Sequence, residues 1–369
     1  MKRRVVSIFS GIDCLGLGAR EFFDTVLAVD EDSNPCKVLN ANKDKFHPNM
    51  EVWNRNICDI SDDEILAFKG VDGVMGGPPC QSFSSARGGF NPDDERNNYI
   101  FEYLRWVRLI EPKFFLFENV EGLVQKGKVH LFHKFLDDAD SLGYKVSYKV
   151  VNAHDYGSAQ ARLRIIVVGF RNDLGLEFVF PNPVENKKYV RDILDTNITG
   201  EHSKASARLR EIMPHIPEGG YWKHLKSEEL LKKALGKNYE KRAGGMTGVC
   251  RRLHRDKPAP TLVTSPTQNT TLLYHPVENR PLSVTEYKRG QGIPLSYDLS
   301  CISVTAQYRA IGNGVPVEMS YEITKAISNT LDTILDDFDT NKFDNDNNTE
   351  YLYDVEIACN SKNQLCFVF

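Results

Sequence analysis

No stretch of this 369-residue chain comes near the roughly 20 consecutive apolar residues that a bilayer-crossing helix requires. The N-terminus, Met1-Lys2-Arg3-Arg4, runs straight into a strand-like segment with no apolar secretory core, so an intracellular, cytoplasmic protein is expected. None of the eight cysteines pairs in Cys-x-x-Cys spacing. That removes zinc-ribbon and thioredoxin-like readings and leaves mostly free thiols and no bound metal. Cys14, Cys36, Cys58 and Cys80 lie 22 residues apart, but their neighbours share no pattern, so no repeat follows. Charge of one sign is not in excess either: 46 Lys and Arg face 50 Asp and Glu, for a net charge of -4, which argues against a wholly basic nucleic-acid binder. With 41% hydrophobic residues, wholesale disorder is excluded. The length exceeds the about 250 to 300 residues that one core usually holds, so two lobes are expected.

What is present is a regular alternation. Residues 4 to 9 form an apolar run ending in Ser10-Gly11, with a helix-like stretch following to about Phe23. Strand and helix patterns then recur: strands at 25–29 and 52–56, a helix at 35–42, and a short strand at 73–75 before Gly76-Gly77-Pro78-Pro79. A helix at 99–109 leads to the strand 114–117, and a helix at 130–142 to strands 145–152 and 164–170. This order predicts an α/β fold with a doubly wound, mostly parallel sheet of five or six strands. Regularity fades after Pro181. Residues 186 to 255 hold 16 Lys or Arg against 8 Asp or Glu, a surplus of 8 positive charges that the rest of the chain more than offsets. The expected organisation is a first domain over 1–181, a small basic lobe over 182–248, and a return to the first domain over 249–335. The return carries helices at 285–290 and 317–335. An Asp- and Asn-rich linker and tail occupy 336–369.

Chemistry-bearing residues collect at strand ends. Phe9-Ser10-Gly11-Ile12-Asp13-Cys14 occupies the first strand-to-helix turn, where glycine lets a backbone approach a ligand. Asp30 follows the second strand, placed to accept hydrogen bonds from ribose hydroxyls, and Asp59 follows the third, placed to accept from an adenine amino group. Together they describe an adenosine-shaped pocket. An NAD site uses the same logic, and each acid taken singly also fits a helix cap. Cys80, in Gly77-Pro78-Pro79-Cys80-Gln81, ends the fourth strand at the same edge, where a thiol is a candidate nucleophile. Glu118 leaves the apolar strand Phe114-Phe115-Leu116-Phe117 as a candidate general acid. Arg162 and Arg164, two apart in an extended segment, share one face. A thiol, an acid and an adenosine pocket suggest sulfur attack on an electron-poor ring while the acid protonates a ring nitrogen.

Pro79-Cys80-Gln81, Glu118-Asn119-Val120, Gln160-x-Arg162-x-Arg164 and Gly312-Asn313-Gly314-Val315-Pro316, in this order, resemble the motif series of the cytosine-C5 DNA methyltransferases of bacterial or phage restriction-modification systems. The resemblance covers residues 4 to 330 and implies the S-adenosylmethionine-dependent methyltransferase fold with a smaller target-recognition domain in the basic region. It implies that Cys80 adds to C6 of a flipped cytosine, that Glu118 protonates N3, and that Arg164 helps hold the ring, with Arg162 and Gln160 in support. By the same carry-over, S-adenosylmethionine is lined by Phe9, Gly11, Ile12, Asp30, Glu31, Asp59, Ile60, Pro79, Tyr99 and Asn313. Arg96 resembles a segment that closes over the cofactor and also fits an exposed charge at a helix start. Gln81, Ser85, Arg87, Gln160, Arg252 and Arg255 are the implied contacts to double-stranded DNA. The resemblance further implies a nucleoid-associated monomer, and a cognate restriction endonuclease that forms no stable complex with it.

The chain departs from the family where two adjacent glycines follow Phe-x-Gly-x, because Asp13-Cys14 occupy those places. An acid there either pairs with the ammonium group of the cofactor or weakens its binding. A tRNA cytosine methyltransferase would share the chemistry, but that branch carries a Cys-Phe-Thr element absent from this sequence. The altered turn also admits a catalytically silent relative, against which Cys80, Glu118 and Arg164 stand intact. A dinucleotide oxidoreductase has no need for the Pro79-Cys80-Gln81 and Glu118-Asn119-Val120 pair.

Overall fold

The computed structural model describes residues 2–79, 98–125, 129–195, 202–240 and 246–340, the last six of these by backbone alone. Residues Met1–Leu331 make one compact unit, and the chain from Asp332 onward counts as a second. The first half alternates as expected. Strand β1 (Arg3–Ile8) is followed by α1 (Cys14–Ala19), β2 (Phe23–Asp30), α2 (Ser33–Phe46), β3 (Glu51–Asn54), α3 (Asp62–Leu66) and β4 (Gly73–Gly76). Then come α4 (Tyr99–Ile110), β5 (Phe114–Val120), α5 (Val129–Ser141), β6 (Tyr144–Asn152), β7 (Gln160–Ala161) and β8 (Leu163–Arg171). Beyond them lie α6 (Ala207–Ile212), α7 (Glu228–Leu235), β9 (Ala259–Pro260), α8 (Val284–Gly290), α9 (Val304–Asn313) and α10 (Val317–Thr340).

Among the described residues, seven strands form the main sheet in the order β3-β2-β1-β4-β5-β8-β6. β1 pairs in parallel with β2 and β4, and β5 pairs in parallel with β4, for example Val74 against Phe115. β8 runs antiparallel to both its neighbours, β5 and β6. The order of β2, β1 and β4 places the chain reversal beside β1, the place where an open α/β sheet leaves a crevice at its carboxyl edge. Central strands are mostly apolar and buried, as in Val5, Val6 and Ile8 of β1 and all of β4, because both faces are covered. β4 needs glycine for close approach: a Cβ at Gly73 would meet the Phe114 ring at 2.3 Å, and one at Gly76 would meet the Ile8 carbonyl oxygen at 2.3 Å.

One face of the sheet is closed by α4 and α5. Tyr103, Trp106, Phe132 and Phe135 pack there on Phe115 and Phe117, all essentially without solvent contact. Truncating a buried aromatic of this kind costs about 3–5 kcal/mol. Ile12, Leu17 and Val38 pack on Leu262, Tyr287, Tyr308 and Ile311 in a second cluster. The segment after residue 249 therefore shares a core with the first helices. A third cluster is built by Leu209, Ile212, Trp222, Leu225 and Leu235 with Cys250, Leu272 and Tyr274. It gives the basic region an apolar centre shared with Cys250, Leu272 and Tyr274 of the returning segment. Helix α9 was not expected from the sequence, although Ser303 caps it by accepting from the Ala306 amide.

One buried ion pair locks the returning segment. Arg280 grips Glu286 with two hydrogen bonds, Nη1 to Oε2 at 2.7 Å and Nη2 to Oε1 at 2.9 Å. The Ser283 and Asp195 amides donate to the same carboxylate. Burial pushes the Glu286 carboxyl up, but Arg280 and the amides outweigh it and hold the group below its ordinary 4.5. Glu286→Gln takes away the buried one of Arg280's two carboxylate partners and leaves only the more exposed Glu278, 2.8 Å from Nε, so about 3 kcal/mol of stability should be lost near neutral pH. A carboxyl whose pKa is depressed by folding contributes above its unfolded value and ceases to contribute as it is protonated in the native state. Urea unfolding should therefore show the gap between wild type and variant closing as pH falls below 4.5. A gap independent of pH would contradict the pair.

Candidate active site

The carboxyl ends of β1, β2, β4 and β5 and the amino end of antiparallel β8 open on one cavity of about 520 Å³. Its first side is made by the turn after β1, where Phe9, Gly11 and Asp13 all have positive φ, at 51°, 54° and 50°. The Gly11 amide donates to Asp30 Oδ2 at 2.8 Å and the Asp32 amide to Oδ1 at 2.9 Å, so two backbone groups orient that carboxylate at the end of β2. Burial pushes the Asp30 carboxyl above its ordinary 3.8, although the two amides oppose the rise. Glu31 lines the cavity and accepts from Asn56 Nδ2 at 3.0 Å. Phe9 and Tyr99 lie tilted against each other, with ring centroids 5.6 Å apart, and both line the cavity. Pro79 lines it from the end of β4 and Asn313 from the end of α9.

Three residues expected here lie elsewhere. Ile12 is 1% exposed and packs in the core beneath the turn, where its carbonyl accepts from Tyr297 Oη. Asp59 and Ile60 do not line the cavity, because β3 ends at Asn54 and the short helical turn Ile57–Asp59 leaves Asp59 exposed and Ile60 buried under α4 residues. The Ile60 carbonyl accepts from Arg105. Asn56 and Ile57 line the cavity in their place. An asparagine just past a strand was the available signal. Asp13 also turns away: it is wholly buried, and its Oδ1 accepts from Ser7 Oγ at 2.7 Å and from the Gly16 amide at 3.1 Å. It does not face a ligand in the cavity.

The other side of the cavity carries an acid and a cation. β5 extends to Val120, so Glu118 belongs to the strand instead of following it, because β8 keeps pairing as far as Val120 opposite Arg164. Residues 118 and 120 share a face. Arg164 is thus the diagonal neighbour of Glu118, and its Nε lies 2.8 Å from Glu118 Oε1. Asn119 Nδ2 donates to the Pro78 carbonyl at 3.2 Å, tying β5 to the turn that precedes Cys80. Gly77 completes this fit: a Cβ there would come within 2.7 Å of Glu118 Oε2. Arg162 lines the cavity but is 3% exposed, and its Nη1 donates to the carbonyls of Leu262 and Gly312. It braces the loop that presents Asn313.

Among the expected DNA contacts, two are corrected. Gln160 is fully buried, donating to the Gly290 carbonyl and Gln291 Oε1 and accepting from the Leu262 amide. Arg252 is 4% exposed, and its guanidinium is spent on the carbonyls of Ile216, His275, Glu278 and Met213 and on Asn279 Oδ1. Neither side chain is free to meet DNA, since a polar group of this kind is kept inside by the backbone it satisfies. Arg255 is exposed but paired with Glu218, Nη2 to Oε2 at 2.9 Å. Lys204, Lys223, Lys226 and Lys237 are exposed, with no ion pair among the described residues. Cys80, Gln81, Ser85, Arg87 and Arg96 lie outside the described residues.

Strand order, the one antiparallel strand of the main sheet among the described residues and the edge cavity define a doubly wound α/β enzyme of the methyltransferase fold. The chain belongs to the C-5 cytosine-specific DNA methylase family, whose sequence profile matches residues 3–329. It is similar to the type II methyltransferase M.Eco47II of Escherichia coli, 33% identical over 89% of this chain and 80% of that one. M.PspPI of a Psychrobacter strain is 36% identical over 89% and 79%. Among solved structures, a DNA modification methyltransferase encoded within an E. coli prophage superposes with a TM-score of 0.66 at 24% identity, covering 90% of this chain and 100% of that one.

The contact between Gly77 and Glu118 can be tested. Gly77→Ala sets its methyl group 2.7 Å from Glu118 Oε2 and 3.3 Å from the Glu118 carbonyl oxygen, so the backbone need give by only a few tenths of an ångström and the protein should fold, but the carboxylate must move. Methyl incorporation into DNA should fall by about 10²-fold with little change in melting temperature. Wild-type turnover would show that the position of this carboxylate is not critical.

Proposed function

We propose that the protein transfers a methyl group from S-adenosylmethionine to C5 of a cytosine flipped out of a specific duplex DNA sequence, through a covalent bond between Cys80 and C6. The observation that carries the reading is the Glu118–Arg164 pair, set in the same cavity as the anchored Asp30 carboxylate. The residues present suit the cofactor. A cavity of about 520 Å³ falls within the usual size for a small-molecule site, about 300 to 1,000 Å³. Asp30 offers oriented acceptors for ribose hydroxyls, Phe9 and Tyr99 offer aromatic faces, and Glu31, Pro79 and Asn313 complete the lining. When bound, S-adenosylmethionine supplies an electrophilic methyl group on its sulfonium.

The chain's own groups do the rest. Glu118 holds a proton at N3 of the pyrimidine, which withdraws electrons from C6 and opens it to the Cys80 thiolate. Arg164 fixes the orientation of the Glu118 carboxyl group, so that the proton passes between its oxygen and N3 at one place. Addition of sulfur makes C5 nucleophilic toward the methyl group. A base or water takes the C5 proton, elimination of the thiolate restores the C5–C6 double bond, and N3 returns its proton to Glu118, which regenerates the ring and the free Cys80. Because C5 and C6 are covered inside a stacked duplex, the base must leave the helix first.

Recognition falls to the basic lobe, proposed to span 182–248 between the two parts of the catalytic domain, 1–181 and 249–335. The third apolar cluster, to which Cys250, Leu272 and Tyr274 of the returning segment also contribute, and exposed Lys204, Lys223, Lys226 and Lys237 support that role. The relatives' names as type II methyltransferases support a restriction-modification setting. We further propose, from the family resemblance alone, a cytoplasmic monomer working at the nucleoid with a separate cognate endonuclease. Gln81, Ser85 and Arg87 are assigned to the DNA side of the site from the sequence motif alone.

DNA carrying 5-fluorocytosine at target sites should trap the wild-type protein, because fluorine blocks the proton loss that precedes elimination. The cross-linked peptide, read by mass spectrometry, should contain Cys80. Cys80→Ser should be inactive and untrapped. An active enzyme that is never trapped, or a cross-link at another residue, would overturn the covalent route.

A further inference from the structure

Asp13 stands where the family resemblance calls for a glycine, and its surroundings show what it does there. It caps α1 from a left-handed backbone conformation, with φ 50° and ψ 47°. Its amide donates to the Ser10 carbonyl at 2.8 Å, and its own carbonyl accepts from the Leu17 amide at 2.8 Å. The side chain folds beneath the turn, where Ser7 Oγ and the Gly16 amide donate to Oδ1. Room for the other oxygen comes from Gly16: a Cβ at that position would lie 1.9 Å from Asp13 Oδ2 and 2.8 Å from Thr25 Oγ1. On the far side, His47 Nε2 lies 3.8 Å from Oδ2, and both side chains are almost wholly buried. The carboxylate and the missing Cβ therefore fit each other, and substitution at either place disturbs both.

The turn above this anchor faces the cavity. Gly11 gives its amide to Asp30, and Cys14, next to Asp13, lines the cavity and packs so closely on Gly314 that a Cβ there would meet Cys14 Sγ at 2.6 Å. Left-handed backbone at a non-glycine residue persists only where its surroundings hold it. Here the cap and the Ser7 hydroxyl do so.

We propose that Asp13 is a positioning residue for the cofactor: its buried carboxylate replaces the conformational freedom of glycine and locks the turn that presents Gly11 and Cys14 to the donor pocket. The proposal rests on assigning this cavity to S-adenosylmethionine. It makes Asp13 neither a partner of the cofactor's ammonium group nor a mark of lost function.

The test is calorimetric binding of S-adenosylmethionine and S-adenosylhomocysteine to the full-length protein and to variants, alongside KM and kcat for methyl transfer and a thermal melt. Asp13→Asn keeps the Oδ1 acceptor and tolerates the left-handed region, so its affinity should stay within about threefold of wild type. Asp13→Ala loses the cap and strains the backbone, and both its Kd and its cofactor KM should rise by about tenfold or more, with kcat at saturating cofactor changing far less. Ser7→Ala, a milder change that removes one donor, should fall between them and carries the test if Asp13→Ala does not fold. Wild-type affinity in both Asp13→Ala and Ser7→Ala, or a loss confined to kcat, would overturn the role of Asp13. A wild-type protein that binds neither ligand would instead overturn the cofactor assignment.

Discussion

A 2.8 Å ion pair between Arg164 and Glu118 sits where two differently directed strands meet, and the rest of the site is arranged around it. It exists because β8 runs against β5, which brings the beginning of one strand to the end of the other. Were β8 parallel, its first residues would lie at the opposite edge of the sheet. The antiparallel strand thus carries a cation to an edge that otherwise offers only strand ends and the turns that follow them. Burial at this depth is costly for either charge alone and tolerable for the pair. Gly77 leaves the space the carboxylate needs, and Asn119 ties the pair's strand to the turn that leads to Cys80.

The remaining walls are held by groups that never face the cavity. Gln160 and Gln291 hydrogen-bond each other inside the protein, and Gln291 donates to the Gly314 carbonyl. Arg162 binds the Gly312 carbonyl from the same side. The loop bearing Asn313 is therefore fastened by residues about 20 and 150 positions away in sequence. On the opposite wall, the Asp13 carboxylate fastens the first turn from below. The cavity is shaped by buried polar groups paired with backbone, which keeps it from collapsing into the apolar clusters on either side.

Much of this was legible in the sequence because apolar runs of strand length between glycine-marked turns leave few alternatives. Glu118 and Arg164 were placed at one edge by motif order, and the structure brings them together. What could not be read was anything decided by distant partners. The direction of β8 has no local signal. Gln160 and Arg252 look like contact residues as letters, yet the same donors satisfy buried carbonyls when the fold closes over them. Asp59 seemed to follow its strand into the pocket, but the turn Ile57–Asp59 carries it past the rim and leaves Asn56 there. For Asp13, neither role foreseen from the sequence allowed for a side chain pointing inward, which depends on the space above Gly16.

The central claim is that Glu118 and Arg164 work as one unit on the reacting base. A double-mutant cycle on single-turnover methyl transfer, with Glu118→Gln, Arg164→Ala and both together, measures this directly. The account predicts that the double variant is no slower than the slower single variant, within about threefold, since either change already breaks the unit. Rate losses that multiply in the double variant would show two independent groups and contradict it.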